Sequence, residues 1–254
     1  MGSTWISYND LAWTEDLLAD PADYKDEVES YMNLIRGMTD RALHTMLHLG
    51  SGAGGHDTYF KQHFSITGVD LSLGMLNKAK ITNPEAEYHE GDMRTIRLDR
   101  QFDIVAIPDS IDYMVSQSDL RQAIQTCVEH LKPDGILLIV SKTEETFQNN
   151  NFAYEGAKDD IQVTLLENNY INPFRPYTYE ATFVYMIREH GELSIHTENQ
   201  ILGLFPLITW ENLFSEFGLK MQKSTLNGIY DKNLLDDGEY PMMVFIGGKE
   251  RQSI

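Results

Sequence analysis

The sequence predicts an α/β fold built on a doubly wound, mostly parallel sheet, and three observations carry that expectation. The apolar run Leu47-His48-Leu49 ends in the cluster Gly50-Ser51-Gly52-Ala53-Gly54-Gly55. Backbone without a Cβ can turn sharply there and offer N–H groups to a ligand where the next helix starts. Twenty residues beyond Gly50, the run Ser65-Ile66-Thr67-Gly68-Val69 delivers Asp70, where a second strand would present a carboxylate to a ribose diol. Apolar runs then alternate with helical patterns at short spacing as far as Ser141, the rhythm of parallel strands joined by helices.

Taken in order, residues 1–21 are aromatic-rich and aperiodic, with Trp5, Tyr8 and Trp13 among acidic and small polar residues, and are expected to form a cap. Tyr24, Val28, Tyr31, Met32 and Ile35 repeat at helical spacing, with Asp23 at the N-cap. After the glycine turn, 58–63 reads as a short helix and 65–70 as the second strand. A helix over 73–81 follows, carrying Met75, Leu76 and Ala79 on one side. Glu87-Tyr88-His89 is a short third strand that brings Gly91-Asp92-Met93 to the same edge. Phe102 to Ile107 is the continuous apolar run of a strand buried on both faces, and it ends at Pro108-Asp109-Ser110. A helix over 120–131, the turn Lys132-Pro133-Asp134-Gly135 and a fifth strand over 136–140 complete the alternation.

Past Ser141 the rhythm breaks. The stretch 143–160 is polar and predicts a loop, whereas 163–166, 179–187 and 193–200 read as strands of an antiparallel excursion. A helix over 209–217 is stopped by Gly218, and 219–222 and 242–246 read as closing strands. An insertion of this length is too long for a bare loop. Its expected place is above the C-terminal edge of the strands, as a lid. The division that follows is a cap and helix over 1–44, a core over 45–142 and 206–254, and the antiparallel insertion over 143–205.

Composition excludes several function classes. The chain has 254 residues, enough for a sizeable core, and a formal charge of −19 that repels phosphate backbones and anionic membranes. A neutral or cationic small molecule is the expected partner, with no nucleic acid and no membrane. Both a monomer and a homodimer stay open. Cys127 is the only cysteine, which excludes an intramolecular disulfide and fits a reducing, cytoplasmic setting. No apolar run reaches transmembrane length, and the N-terminus lacks a basic-then-apolar signal pattern.

Four motifs in order carry a resemblance: His48-Leu49-Gly50-Ser51-Gly52-Ala53-Gly54, Gly68-Val69-Asp70-Leu71-Ser72 with Met75-Leu76, Gly91-Asp92-Met93-Arg94, and Leu131-Lys132-Pro133-Asp134-Gly135. Together they resemble the motifs of class I S-adenosylmethionine-dependent methyltransferases. Tyr8-Asn9-Asp10, Asp23 to Glu27, and Glu198 to Phe205 with Trp210 and Leu213 are similar to segments of the sugar N,N-dimethyltransferases that act on amino-deoxysugars of macrolides. The resemblance implies a seven-stranded Rossmann-like core with S-adenosyl-L-methionine as cofactor. It places Tyr8, Gly50, Ser51, Gly52, Asp70, Leu71, Met75, Asp92, Met93 and Pro108 around that cofactor, with Asp70 on the ribose, Asp92 at the adenine amino group and Met93 on its ring. No metal is implied. One departure is His48, where the family usually carries an acid, so a charge near the cofactor amino group is missing or inverted.

The implied chemistry is methyl transfer to N or O of a small molecule, an amino sugar or other amine among the candidates. After the fourth strand, the resembled sugar N-methyltransferases carry a histidine thought to take the proton of the attacking amine, and the register Ser110-Ile111-Asp112-Tyr113 puts Tyr113 there. A phenol with an ordinary pKa of about 10 is a poor base at neutral pH, so Asp109 or Asp112 is better suited to the ammonium while Tyr113 orients the nucleophile. The roof of the acceptor pocket is expected from 178–205, with Tyr179, Tyr185 and Glu198 looking inward. Two other readings compete. One is a non-catalytic cofactor-binding or scaffold protein of the same fold. The other is an NAD(P)-dependent oxidoreductase, because Ser141, Tyr154 and Lys158 reproduce the Ser, Tyr-x-x-x-Lys spacing of short-chain dehydrogenases.

Overall fold

Strands form at Thr45–Leu49 (β1), Ser65–Asp70 (β2), Glu87–Glu90 (β3), Phe102–Ile107 (β4) and Leu131–Ser141 (β5), close to their expected places. The structure, a computed structural model, describes residues 5–236 and 239–249; the first four residues of the N-terminal cap reading lie outside the described residues. Four further strands follow at Asn150–Lys158 (β6), Ile161–Tyr170 (β7), Thr178–Glu189 (β8) and Glu192–Gly203 (β9), then Leu219–Leu226 (β10) and Met242–Lys249 (β11). Seven strands make one sheet in the order β10-β11-β5-β4-β1-β2-β3. Its β1 to β5 pairings are parallel, and β11 runs antiparallel between β5 and β10. The strand order reverses at β1 and β4, so the glycine turn after β1 stands at the topological switch point, where sheets of this kind bind ligands.

Alternation along the strands fills both faces. Leu47 and Leu49 of β1 join Val105 and Ile107 of β4 in one core, under the helices Gln117–His130 (α5) and Leu207–Glu216 (α6). Met46 joins Ile104 and Ala106 on the other face, under Pro21–Met38 (α2). Every residue of β4 is buried, as its continuous apolar run requires. Helix α2 starts before the expected N-cap Asp23. Asp20 caps it, accepting from the Ala22 N–H at 2.9 Å, and Pro21 takes the first helical position, where a missing N–H costs nothing. The helix after β2 spans Leu73–Thr82 (α4) and is capped by Ser72, whose Oγ accepts from the Met75 N–H.

The expected loop over 143–160 is corrected in its second half, which is β6. Asparagine-rich and short of β-branched residues, Asn150-Asn151-Phe152-Ala153-Tyr154 is a strand because it pairs along its whole length with β7 and buries Phe152. Strands β6 to β9 form a separate antiparallel four-stranded sheet.

The aperiodic N-terminus is held between the two sheets by short turns at Ile6–Tyr8 and Ala12–Thr14 and a one-turn helix at Glu15–Leu18 (α1). Leu11 packs with Val163, Leu165, Tyr185 and Ile187 of the insertion. On the other side, Ser72 Oγ donates to the Tyr8 carbonyl at 2.9 Å and Lys78 Nζ to the Ala12 carbonyl at 2.8 Å. A further short helix, Asp57–Phe60 (α3), follows the glycine turn. Among the described residues, no helix is long and apolar enough to cross a membrane.

Candidate active site

The loop after β1 is held from β2. Gly50 and Gly52 sit at φ +73° and +52°, a region costly for residues with a Cβ, and the space beside Gly52 is open. The Gly52 N–H donates to Asp70 Oδ2 at 2.9 Å and the Ser72 N–H to Asp70 Oδ1 at 2.8 Å. Each carboxylate oxygen keeps a second lone pair, so the half-buried Asp70 can order the loop and still accept from a diol. Ser51 Oγ is buried with no partner. Leu71, beside Asp70, is 56% exposed although apolar, a surface suited to the face of an aromatic ring. Open backbone, a strand-end carboxylate and an unused hydroxyl fit the nucleoside and amino-acid parts of S-adenosylmethionine.

Asp92 and Met93 follow β3 at the same edge, where the Gly91 N–H donates to the Asp70 carbonyl at 3.0 Å. The Asp92 carboxylate is gripped by Arg94, whose Nε and Nη2 donate to it at 3.0 and 2.6 Å. Those bonds outweigh the cost of partial burial and hold its pKa below the usual carboxylate range. Met93 is buried, with its methyl against Gly50. Pro108 is buried at the end of β4, and Met75 lines the cavity described below.

The acid absent from position 48 arrives nine residues later. His48 is buried, with Nδ1 at 2.7 Å from Asp57 Oδ1, and Asp57 Oδ2 accepts from the Tyr88 phenol at 2.8 Å. A fully buried carboxylate, supplied by α3, is therefore the partner of His48.

Beyond β4 the chain turns through Asp109 at φ +64° and ψ −38°, a conformation that is unfavourable for a non-glycine residue. Lys142, directly after β5, ties this turn down. Its buried Nζ pairs with Asp109 and lies 3.1 Å from Asp112 Oδ2, while Ser141 Oγ donates to Asp112 Oδ1. Burial opposes the lysine's charge, but Asp109 and other polar neighbours more than offset that and hold its pKa well above the usual value. Asp112 is pushed up to about 6, chiefly by burial, against the pull of Lys142. Its side chain is 4% exposed, so it supports the turn from within, whereas the Asp109 side chain is 58% exposed.

Tyr113 ends this turn under the N-terminal segment. Its phenol is hydrogen-bonded to that of Tyr8 and donates to Gln200 Oε1 at 3.2 Å; its ring lies 4.7 Å from that of Trp5. Gln200 Nε2 donates to Ser7 Oγ, and Glu198 accepts from the Ser7 N–H and Oγ at 3.1 and 2.9 Å. Burial raises the pKa of Tyr8, and burial together with Tyr8 raises that of Tyr113, so both are neutral donors at physiological pH.

Ser7, Tyr8 and Gln200 of this network line a cavity of about 420 Å³ between the N-terminal segment and the insertion, and Tyr113 is joined to it through Tyr8 and Gln200. Tyr8 and Gln200 lie on it with Glu15, Glu167 and Tyr185. Of the three side chains expected to look inward from the roof, Tyr185 lines the cavity. Tyr179 packs instead on Phe147, ring centroids 4.6 Å apart, and Glu198 fastens the N-terminal segment. Sequence reasoning missed Lys142, although its place at a strand end was a usable signal. It also missed Glu15 and Glu167, whose positions depend on a strand read as loop. Ser141, Tyr154 and Lys158 are not assembled: Ser141 bonds Asp112, Tyr154 donates to Glu167, and Lys158 is exposed at the end of β6.

Residues 46–135 match the family model of the methyltransferase domain. The chain is 27% identical, over 79% of its own length and 85% of the relative's, to a dTDP-3-amino-3,4,6-trideoxy-alpha-D-glucopyranose N,N-dimethyltransferase of Streptomyces venezuelae. It is 32% identical, over 46% of each chain, to a dTDP-3-amino-3,6-dideoxy-alpha-D-glucopyranose N,N-dimethyltransferase of Streptomyces fradiae. The fold is shared with the solved structure of the sugar N-methyltransferase KedS8 from a Streptoalloteichus species, at a TM-score of 0.78 and 20% identity over 99% of this chain and 98% of that one.

Proposed function

We propose that this chain, an S-adenosylmethionine-dependent methyltransferase, methylates the nitrogen of a small-molecule amine, an amino sugar in the first instance. The observation that carries the reading is the Tyr8–Tyr113 phenol pair, which links the turn after β4 to Tyr8 on the cavity lining. S-adenosylmethionine supplies an electrophilic methyl group on a sulfonium. When bound, it would give up that methyl to the amine nitrogen, the new nitrogen–carbon bond forming as the carbon–sulfur bond breaks with its electron pair left on sulfur.

The residues of the chain do the rest. Asp70 and the Gly50–Gly52 turn hold the donor; Tyr8, Tyr113 and Gln200 offer neutral hydrogen bonds that orient the nucleophile. Holding two reactants in a near-attack pose contributes roughly 7–11 kcal/mol, so no strong base is required. Asp109, exposed and fixed by Lys142, is the carboxylate of the turn open to solvent, and passes outward the proton that an ammonium in the cavity must shed before attack. The N-terminal segment, tied to α4 and to β9, covers the site and excludes water. Buried, free Cys127 suits a cytoplasmic protein, and the charge of −19 argues against nucleic acid as acceptor.

The test offers methyl-labelled S-adenosylmethionine with matched panels of amines, amino sugars and their hydroxyl analogues. Label on nitrogen is the expected product. Label on oxygen alone, or S-adenosylhomocysteine released with no acceptor methylated, contradicts the reading.

A further inference from the structure

The relative from Streptomyces venezuelae takes, by its name, a sugar linked to a nucleoside diphosphate. The cavity of this chain has the opposite electrostatic character. Glu15, Asp20, Asp23, Glu155 and Glu167 all lie on its lining, against, among the described residues, the single ammonium of Lys232. That ammonium is already engaged, 2.7 Å from Asp20 Oδ2 and 2.7 Å from Asp23 Oδ1. A diphosphate entering here would meet repulsion, with no unengaged cation among the described residues of the lining to receive it.

Two of the carboxylates are built to meet a cation. Tyr24 donates its phenol to Glu15 Oε1 at 3.1 Å, and the other oxygen, Oε2, is buried without a partner. Glu167 accepts from Asn169 Nδ2 at 2.7 Å and from the Tyr154 phenol at 3.3 Å. Burial raises the pKa of both acids, against the pull of Lys78 on Glu15 and of Asn169 and Lys142 on Glu167. Phe183 and Tyr185 add aromatic surface of the kind that attracts ammonium groups. At about 420 Å³ the cavity lies toward the small end of the roughly 300–1,000 Å³ range of ligand sites, which suits one sugar-sized molecule.

Resting on the methyl-transfer reading above, we propose that the acceptor is a small cationic amine carrying no nucleotide diphosphate, its ammonium held by Glu15 and Glu167 in this cavity. A free amino sugar is the class that matches both the volume and the charge.

The test is calorimetric binding to the full chain in the presence of S-adenosylhomocysteine, which needs no turnover. The probes are free 3-amino-3,6-dideoxyglucose, its dTDP-linked form, and thymidine 5′-diphosphate alone. The free amine is expected to bind at least tenfold more tightly than the dTDP-linked form, and thymidine 5′-diphosphate is expected to show no heat of binding. Glu167→Gln and Glu15→Gln, near-isosteric and checked by melting, are each expected to weaken the free amine tenfold or more without changing S-adenosylhomocysteine affinity. Tighter binding of the dTDP-linked form, measurable binding of thymidine 5′-diphosphate, or amine binding indifferent to both substitutions overturns the proposal. An amine that binds in this way but never gains a methyl group supports the cavity's chemistry and defeats the methyl-transfer reading instead.

Discussion

The phenol of Tyr8 is hydrogen-bonded to the phenol of Tyr113, 105 residues away, and this bond joins the N-terminal segment to the turn that ends β4. Both hydroxyls are held neutral by burial, so the role proposed for the pair is to position a nucleophile and not to deprotonate it. Tyr113→Phe is therefore expected to lower kcat by no more than about 10²-fold, the lower end of general acid–base effects, with S-adenosylmethionine affinity unchanged. Steady-state kinetics with titration of the cofactor would check this. A loss of four or more orders of magnitude in kcat would make Tyr113 an obligatory base.

Asp70 orders the glycine loop through Gly52 and caps the turn at Ser72, and in the proposed site it also receives the ribose diol, so its removal should act on both cofactor and loop. Asp70→Ala is expected to weaken S-adenosylmethionine binding by about 2–4 kcal/mol, two lost charge-assisted bonds of about 1.5–3 kcal/mol each being only partly replaced by water. The fall in Tm should be the smaller effect. Titration and melting of the same preparation decide it: a variant that melts several degrees lower yet binds the cofactor normally would leave Asp70 a purely structural residue.

Lys142 holds two carboxylates at a turn that Asp109 makes strained. Removing one partner of a buried ion pair costs about 3–5 kcal/mol, so Lys142→Met should be strongly destabilised in urea. Lys142→Met with Asp112→Leu should recover part of that loss, because no buried charge is then left unpaired in the interior. A double variant no more stable than the single one would show that Lys142 matters for packing and not for charge.

Much of this was legible in the chain itself. The strands β1 to β5 could be read because parallel strands buried on both faces are continuous apolar runs, and the glycine cluster marks its own turn. Strand β6 could not, since its asparagines become strand only by pairing with β7. The Lys142–Asp112 pair and the placing of Glu15 and Glu167 on one cavity are tertiary facts: residues 30 and 152 apart come to one place only after the sheet has closed and the insertion has folded back over the N-terminus. The His48–Asp57 pair is of the same kind, its carboxylate being reached across a loop and not along a strand.

At the opposite edge of the sheet, Asp103 supplies a control far from the site. It is buried and accepts from Arg41 at 2.6 Å, Lys132 at 3.0 Å and the His44 and Thr45 N–H groups at 3.1 Å each. Burial opposes its ionisation, but these partners outweigh it and hold its pKa well below the usual range. A depressed carboxylate contributes stability that is fully present above its unfolded pKa of about 3.9 and is lost as pH falls toward the folded value. Asp103→Asn should thus cost about 3 kcal/mol at pH 7, with the gap from the parent chain narrowing below about pH 4. A gap that stays constant down to pH 2 would mean that the carboxylate's charge contributes nothing.

The most direct test of the account is a crystal structure of the chain with S-adenosylhomocysteine. The ribose hydroxyls are expected on Asp70, with the sulfur facing the Tyr8–Tyr113 pair and the cavity that holds Glu15 and Glu167. A cofactor bound elsewhere, or bound with its sulfur turned away from that cavity, would contradict methyl transfer at this site.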